Sequence, residues 1–230
     1  MENDIIKDWN KFEIFWLLIF SAIAIILTVL WHDTLFGLSV FFTGVLCVVL
    51  TAKGNIWSYF FGFFNTLGYA YLAYTNQLFG EMGLNLFFFL PMTFVGYFIW
   101  KKHLVKGNQV EMKKMNINYL LGIIAICIIG IIGMGYGLSL IVTQNTPYID
   151  ATTNILSIAA TILTAKRMKE QWLFYIVLNV FTIIMWSIRT ISGSSDGALM
   201  IIMWSAYLVN SVYGYYNWSK GSNMAVEVVA

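Results

Sequence analysis

The chain has 230 residues, of which 60% are hydrophobic, 17% aromatic and only 10% charged. A soluble domain carries about a quarter of its residues charged, so a water-soluble sphere of this size is excluded and a membrane protein is indicated. The net charge of +2 is small and the 13 basic residues are scattered through short connecting segments, which excludes the electrostatic footprint of a nucleic-acid binder.

The chain opens with Glu2, Asp4, Asp8 and Glu13 and has no small-residue cleavage site after its first apolar run. That run is therefore read as a retained membrane helix and not as a removable leader. A bilayer core needs about 20 mostly apolar residues per helix. Stretches of this kind run over 14–31, 35–50, 56–75, 83–100, 117–142, 148–165, 171–191 and 197–218, which predicts an all-α membrane protein of eight transmembrane helices. With the N-terminus in the cytoplasm, every Lys and Arg except Arg189 falls on the cytoplasmic side, which predicts N-in, C-in topology. Trp9, Trp31, Trp100, Trp172 and Trp218 near the helix ends fit interfacial anchoring.

A repeat runs through the chain. Leu50-Thr51-Ala52-Lys53 recurs as Leu163-Thr164-Ala165-Lys166, each followed by a Trp, at 57 and 172, and then by a mid-helix Asn, at 65 and 179. Gly96-Tyr97-Phe98-Ile99-Trp100 recurs as Gly214-Tyr215-Tyr216-Asn217-Trp218. A three-helix unit ends on the opposite side from where it began, so a parallel second copy requires one linking helix. The expected layout is an N-terminal segment with an extra helix (1–34), a first three-helix unit (35–103), a basic loop and linking helix (104–147), a second three-helix unit (148–220) and a tail (221–230). Parallel repeats of this kind occur in transporters, whose solute site lies near the midplane between repeats.

A polar amide in hydrocarbon is costly unless it finds a partner, so Asn65, Asn154, Asn179 and Asn210 should face protein or a wet cavity. Interhelical hydrogen bonding and solute binding are both open to each. The pair Asn65 and Asn179 stands out because equivalent positions on two units would converge across the pseudo-axis. Aromatic residues crowd the same helices: Tyr59, Tyr69, Phe88 and Phe89, then Tyr175, Trp186, Trp204, Tyr207 and Tyr213. Trp186 and Trp204 are mid-span, and their faces suit a planar or cationic ring.

The ionisable residues Glu81, Asp150, Arg189 and Asp196 lie towards the non-cytoplasmic ends of the expected spans, and no carboxylate or histidine falls at mid-bilayer. Proton symport is thereby disfavoured, while sodium coupling through carbonyls stays open. Cys47 and Cys127 sit in apolar runs without a His or second Cys nearby, which suggests neither disulfide nor metal site. His32 and His103 fall in loops on opposite sides. No phosphate-binding loop, zincin helix or nucleophile elbow is present, so the chain is read as a non-enzyme without a cofactor.

Taken in order, Tyr59-Phe60-Phe61-Gly62 with Asn65, the Phe87-Phe88-Phe89 run after Asn85, Asp150 with Ser157, Trp172 with Asn179, and Asn210 resemble the PnuC family of vitamin transporters over residues 35–218. The resemblance implies a 3+1+3 fold similar to SWEET sugar transporters and facilitated diffusion of nicotinamide riboside, with trapping by a separate cytoplasmic riboside kinase. It also implies a bacterial inner-membrane location. Asn65, Asn85, Asn179 and Asn210 would then hydrogen-bond the solute, Trp186 and Phe88 would stack on its ring, and Asp150 would hold hydroxyls or offset positive charge. Tyr69, Asn154, Trp204 and Tyr207 complete the expected substrate-binding set. Asn85 departs from the glutamine expected in some relatives. Thiamine or riboflavin carriers on the same fold, or a receptor that binds without transport, are the competing readings. The extra first helix lies outside the repeat and is free for packing or homo-oligomer contacts.

Overall fold

The computed structural model describes residues 10–31, 35–75, 79–140, 146–191 and 197–227. Glu2, Asp4, Lys7, Asp8, Trp9, His32 and Asp196 lie outside the described residues, as do the side chains of Trp31, Glu81 and Arg189. The chain divides into two compact units, Met1–Glu111 and Met112–Ala230. Among the described residues four helical stretches are long and apolar enough to cross a membrane: Leu35–Ala52, Met82–Lys101, Ile117–Ser139 and Gln171–Ile188.

The first unit opens with α1 (Lys11–Trp31). Its start is fixed by a reciprocal capping box, in which the Glu13 amide donates to Asn10 Oδ1 and the Asn10 amide to Glu13 Oε2, both at 2.9 Å. Helix α2 (Leu35–Ala52) packs against α1 and, more extensively, against α3 (Trp57–Thr75). The α2–α3 turn closes when the Asn55 amide donates to Leu50 O and the Gly54 amide to Thr51 O, both at 2.9 Å. This pair of bonds needs a left-handed residue between them, and Gly54 supplies it with φ 66°. Asn55 Oδ1 then accepts from the Trp57 amide and starts α3.

Next come α4 (Phe79–Leu84), a π-helical turn (Asn85–Phe89) and α5 (Leu90–Lys101). Sequence predicts one regular helix over 83–100; the observed rod carries an extra residue in this turn. Pro91 gives the physical reason, since a proline ring collides with the carbonyl four residues back and lacks the amide that would bond to it. Residues 104–110, expected as loop, form a two-stranded ladder of β1 (Leu104–Lys106) and β2 (Gln109–Val110) around Gly107, at φ 53°. The ladder pins the α2–α3 turn: the Val110 amide donates to Gly54 O and the Ile56 amide to Asn108 O, both at 2.9 Å.

The second unit contains α6 (Ile117–Ser139), α7 (Pro147–Ala165), α8 (Gln171–Ile191) and α9 (Gly197–Glu227), each packed on the next. Cys127, Leu156, Ala160, Leu163, Phe174 and Leu178 form its buried core. The α7–α8 turn carries the same hydrogen bonds as the α2–α3 turn. The Met168 amide donates to Leu163 O and the Arg167 amide to Thr164 O, with Arg167 at φ 63° in the place of Gly54. This turn too is strapped, by Lys113, whose amide donates to Arg167 O and whose carbonyl accepts from the Lys169 amide.

Helix α9 continues to Glu227, well into the segment expected as a tail. Ser222 is buried, and Gly221 lies where a Cβ would meet the sulfur of Met112, so packed contacts carry the helix beyond Trp218.

Candidate functional site

The polar residues expected inside the spans fall on specific helix contacts in each unit. In the first, Asn65 on α3 donates from Nδ2 to the Val40 carbonyl of α2 at 2.8 Å. One turn further on, Gly68 lets the Val40 side chain approach so closely that a Cβ would overlap it. Tyr69 is 40% exposed on the outside of α3. Asn85 is buried and opens the π turn, its carbonyl accepting from the Leu90 amide. Phe88 in the same turn is half-buried and stands edge-on to Phe89, with ring centroids 5.2 Å apart. Turns of this kind interrupt helices frequently at functional sites.

In the second unit Asn179 on α8 is 2% exposed and donates from Nδ2 to Ser211 Oγ on α9 at 2.9 Å. Ser211 Oγ in turn donates to the Tyr207 carbonyl at 2.8 Å, so Tyr207 and Ser211, four residues apart, present one polar edge to α8. Asn210 beside them is buried. Trp204 meets Tyr207 edge-to-face at 5.5 Å and 89°, and its indole N–H is buried without an acceptor among the described residues. Trp186 is half-buried on α8. On α7, Asp150 occupies the first turn and accepts from the Thr146 hydroxyl at 3.3 Å, a position in which a carboxylate complements the helix dipole. Asn154, one turn on, donates from Nδ2 to the Asp150 carbonyl at 2.8 Å.

The sequence reading passed over Ser211 and the π turn. Ser211 is an ordinary hydroxyl until α8 and α9 are seen side by side. The aromatic residues beside the two similar turns pack differently from the expected Trp57/Trp172 match. Tyr59 stands edge-on to buried Trp100 at 5.0 Å and over Gly96, while Trp172 meets buried Trp218 at 6.3 Å and covers Gly214. Trp57 is 39% exposed, and Tyr59 is the residue that packs as Trp172 does.

The family model described as nicotinamide mononucleotide transporter matches residues 34–220. The nicotinamide riboside transporter PnuC of Neisseria mucosa is 34% identical, over 95% of this chain and 85% of its own. The PnuC of Haemophilus influenzae is also 34% identical, over 96% of this chain and 95% of its own. A crystal structure of the vitamin B3 transporter PnuC is 35% identical and superposes with a TM-score of 0.79, covering 94% of both chains.

Proposed function

The chain belongs to the PnuC family of membrane transporters, and from that premise we propose that it carries nicotinamide riboside across a bacterial inner membrane by facilitated diffusion. The observation that carries this reading is the buried Asn179–Ser211 pair, set between two apolar helices of a chain that matches riboside transporters along nearly its whole length. A buried amide in such helices is expensive to keep, and its use in recognition accounts for it.

In this reading the chain crosses the membrane eight times, N-in and C-in, as one extra helix followed by a 3+1+3 parallel repeat. Two turns with the same hydrogen bonds, around Gly54 and Arg167, support the repeat. Asn65, Asn85, Asn154, Asn179 and Asn210 hydrogen-bond the solute; Phe88, Trp186 and Trp204 face its ring; Tyr69, Tyr207 and Asp150 complete the lining. Alternating access comes from rocking of the repeats. With no carboxylate expected at mid-bilayer to load a proton, net uptake follows from phosphorylation of the riboside inside the cell by a separate kinase.

Counterflow in proteoliposomes tests this. Preloaded unlabelled riboside should drive transient accumulation of labelled riboside with no ion gradient, and thiamine or riboflavin should not compete. Binding without exchange would make the protein a receptor, and a requirement for a proton or sodium gradient would remove the uniport mechanism.

A further inference from the structure

Three intramembrane amides share a constraint that their partners impose. Val40 O and Asp150 O are carbonyl oxygens and only accept, so the groups that meet them must be the amide nitrogens of Asn65 and Asn154. Ser211 reaches the same result by a different route. Its hydroxyl proton is committed to Tyr207 O at 2.8 Å, so towards Asn179 it has only lone pairs to offer, and Asn179 must turn Nδ2 to it. Each amide spends its nitrogen on protein, and among the described residues each Oδ1 meets no donor. For Asn179 this leaves a strong acceptor, on a residue only 2% exposed, without a partner among the described residues.

We propose that Ser211 is a positioning residue, which fixes the Asn179 carboxamide with its oxygen towards the solute so that this position reads a hydrogen-bond donor. The proposal rests on the transport reading above and deepens it. A ribose hydroxyl or a carboxamide N–H satisfies this oxygen, while a phosphoryl group, which offers only acceptors at neutral pH, gains nothing from it. Without the Ser211 oxygen the amide is free to rotate about its last torsion and present either end, and the discrimination is lost.

The test is binding to purified full-length wild type, Ser211→Ala and Ser211→Thr in nanodiscs. The ligands are nicotinamide riboside, its 2′-, 3′- and 5′-deoxy analogues, and nicotinic acid riboside, which lacks the carboxamide donor. In the wild type one analogue should bind at least about tenfold more weakly than the riboside, identifying the donor that Asn179 reads. In Ser211→Ala the riboside should weaken about tenfold and the penalty for that analogue should shrink to about twofold, while Ser211→Thr, which keeps the hydroxyl, preserves both. Riboside bound as tightly and as selectively by Ser211→Ala as by wild type would overturn the proposal. So would an equal loss for every ligand, the mark of a merely structural role, or a wild type indifferent to all four donors. If the wild type does not bind the riboside at all, the transport reading itself falls and takes this proposal with it.

Discussion

Glu13 on α1 and Lys53 at the end of α2, forty residues apart in the chain, form an ion pair of 2.7 Å in which both side chains are at least nineteen-twentieths buried. Glu13 is held at the same time by the α1 capping box, so one carboxylate starts α1 and ties it to the end of α2. A buried charge that loses its partner costs about 3–5 kcal/mol, whereas removing both charges together is often close to neutral. Glu13→Gln keeps the cap and strands the lysine; it should lower the melting temperature in detergent strongly. The double variant Glu13→Gln/Lys53→Met should recover most of the loss. Equal melting of both variants would show that the pair is not coupled.

Gly96 and Gly214 each lie under an aromatic ring, of Tyr59 and Trp172 respectively, where a Cβ would overlap ring atoms. Both rings rest edge-on against fully buried tryptophans, Trp100 and Trp218, so neither has room to retreat. Gly96→Ala and Gly214→Ala should each destabilise by about 1–3 kcal/mol, the usual cost of overpacking. Gly122, beside which a Cβ meets nothing, is the control: Gly122→Ala should melt as the parent does or slightly higher, since alanine is the better helix former. Thermal unfolding followed by size-exclusion chromatography distinguishes them.

What was legible in the sequence is what depends on local chemistry. Apolar runs and basic loops mark helix positions because hydrocarbon tolerates neither charge nor open backbone. The Thr-Ala-Lys ends of α2 and α7 were visible because the same Schellman turn needs similar residues. The ladder at 104–110 was within reach as well, through Gly107-Asn108 between apolar residues. Other features were not. The π turn depends on how Pro91 resolves its clash, by a bend or by an extra residue, and sequence does not choose between them. Ser211 matters through a contact 32 positions away, and matching letters favoured Trp57 as the counterpart of Trp172, where Tyr59 packs on Trp100 as Trp172 packs on Trp218.

Asn65 on α3 and Asn179 on α8 bond in opposite senses along the chain, Asn65 back to α2 and Asn179 forward to α9. Leucine at either position has nearly the same volume and no hydrogen-bonding groups. Asn65→Leu leaves the Val40 carbonyl still bonded within its helix, so little stability should be lost. An interhelical hydrogen bond in a membrane is worth about 0.6 kcal/mol on average. Transport should respond far more: loss of one unpartnered acceptor from the proposed solute site raises KM about tenfold or more. Initial uptake rates of Asn65→Leu and Asn179→Leu, normalised to inserted protein, should fall well beyond what their melting temperatures explain. Parental uptake by both would remove these amides from the site.

The π turn offers the sharpest conformational test, because an extra residue in a helix changes the azimuth of everything on one side of it. Adding one residue to an α-helix turns the far segment by about 100°. Asn85 and Phe88 owe their directions to that offset, and Pro91 is the residue that sustains it by denying Phe87 its normal amide partner. Pro91→Ala restores the amide and removes the ring. The rod should relax towards a continuous α-helix, gaining stability from the regular bonds and rotating α4 relative to α5. The expected outcome is a variant that melts higher than the parent and binds nicotinamide riboside about tenfold or more weakly, by titration of the purified protein. Higher stability with unchanged affinity would mean that the π turn does not orient Asn85 for the solute. Lower stability with unchanged affinity would mean that Pro91 is not what holds the turn open.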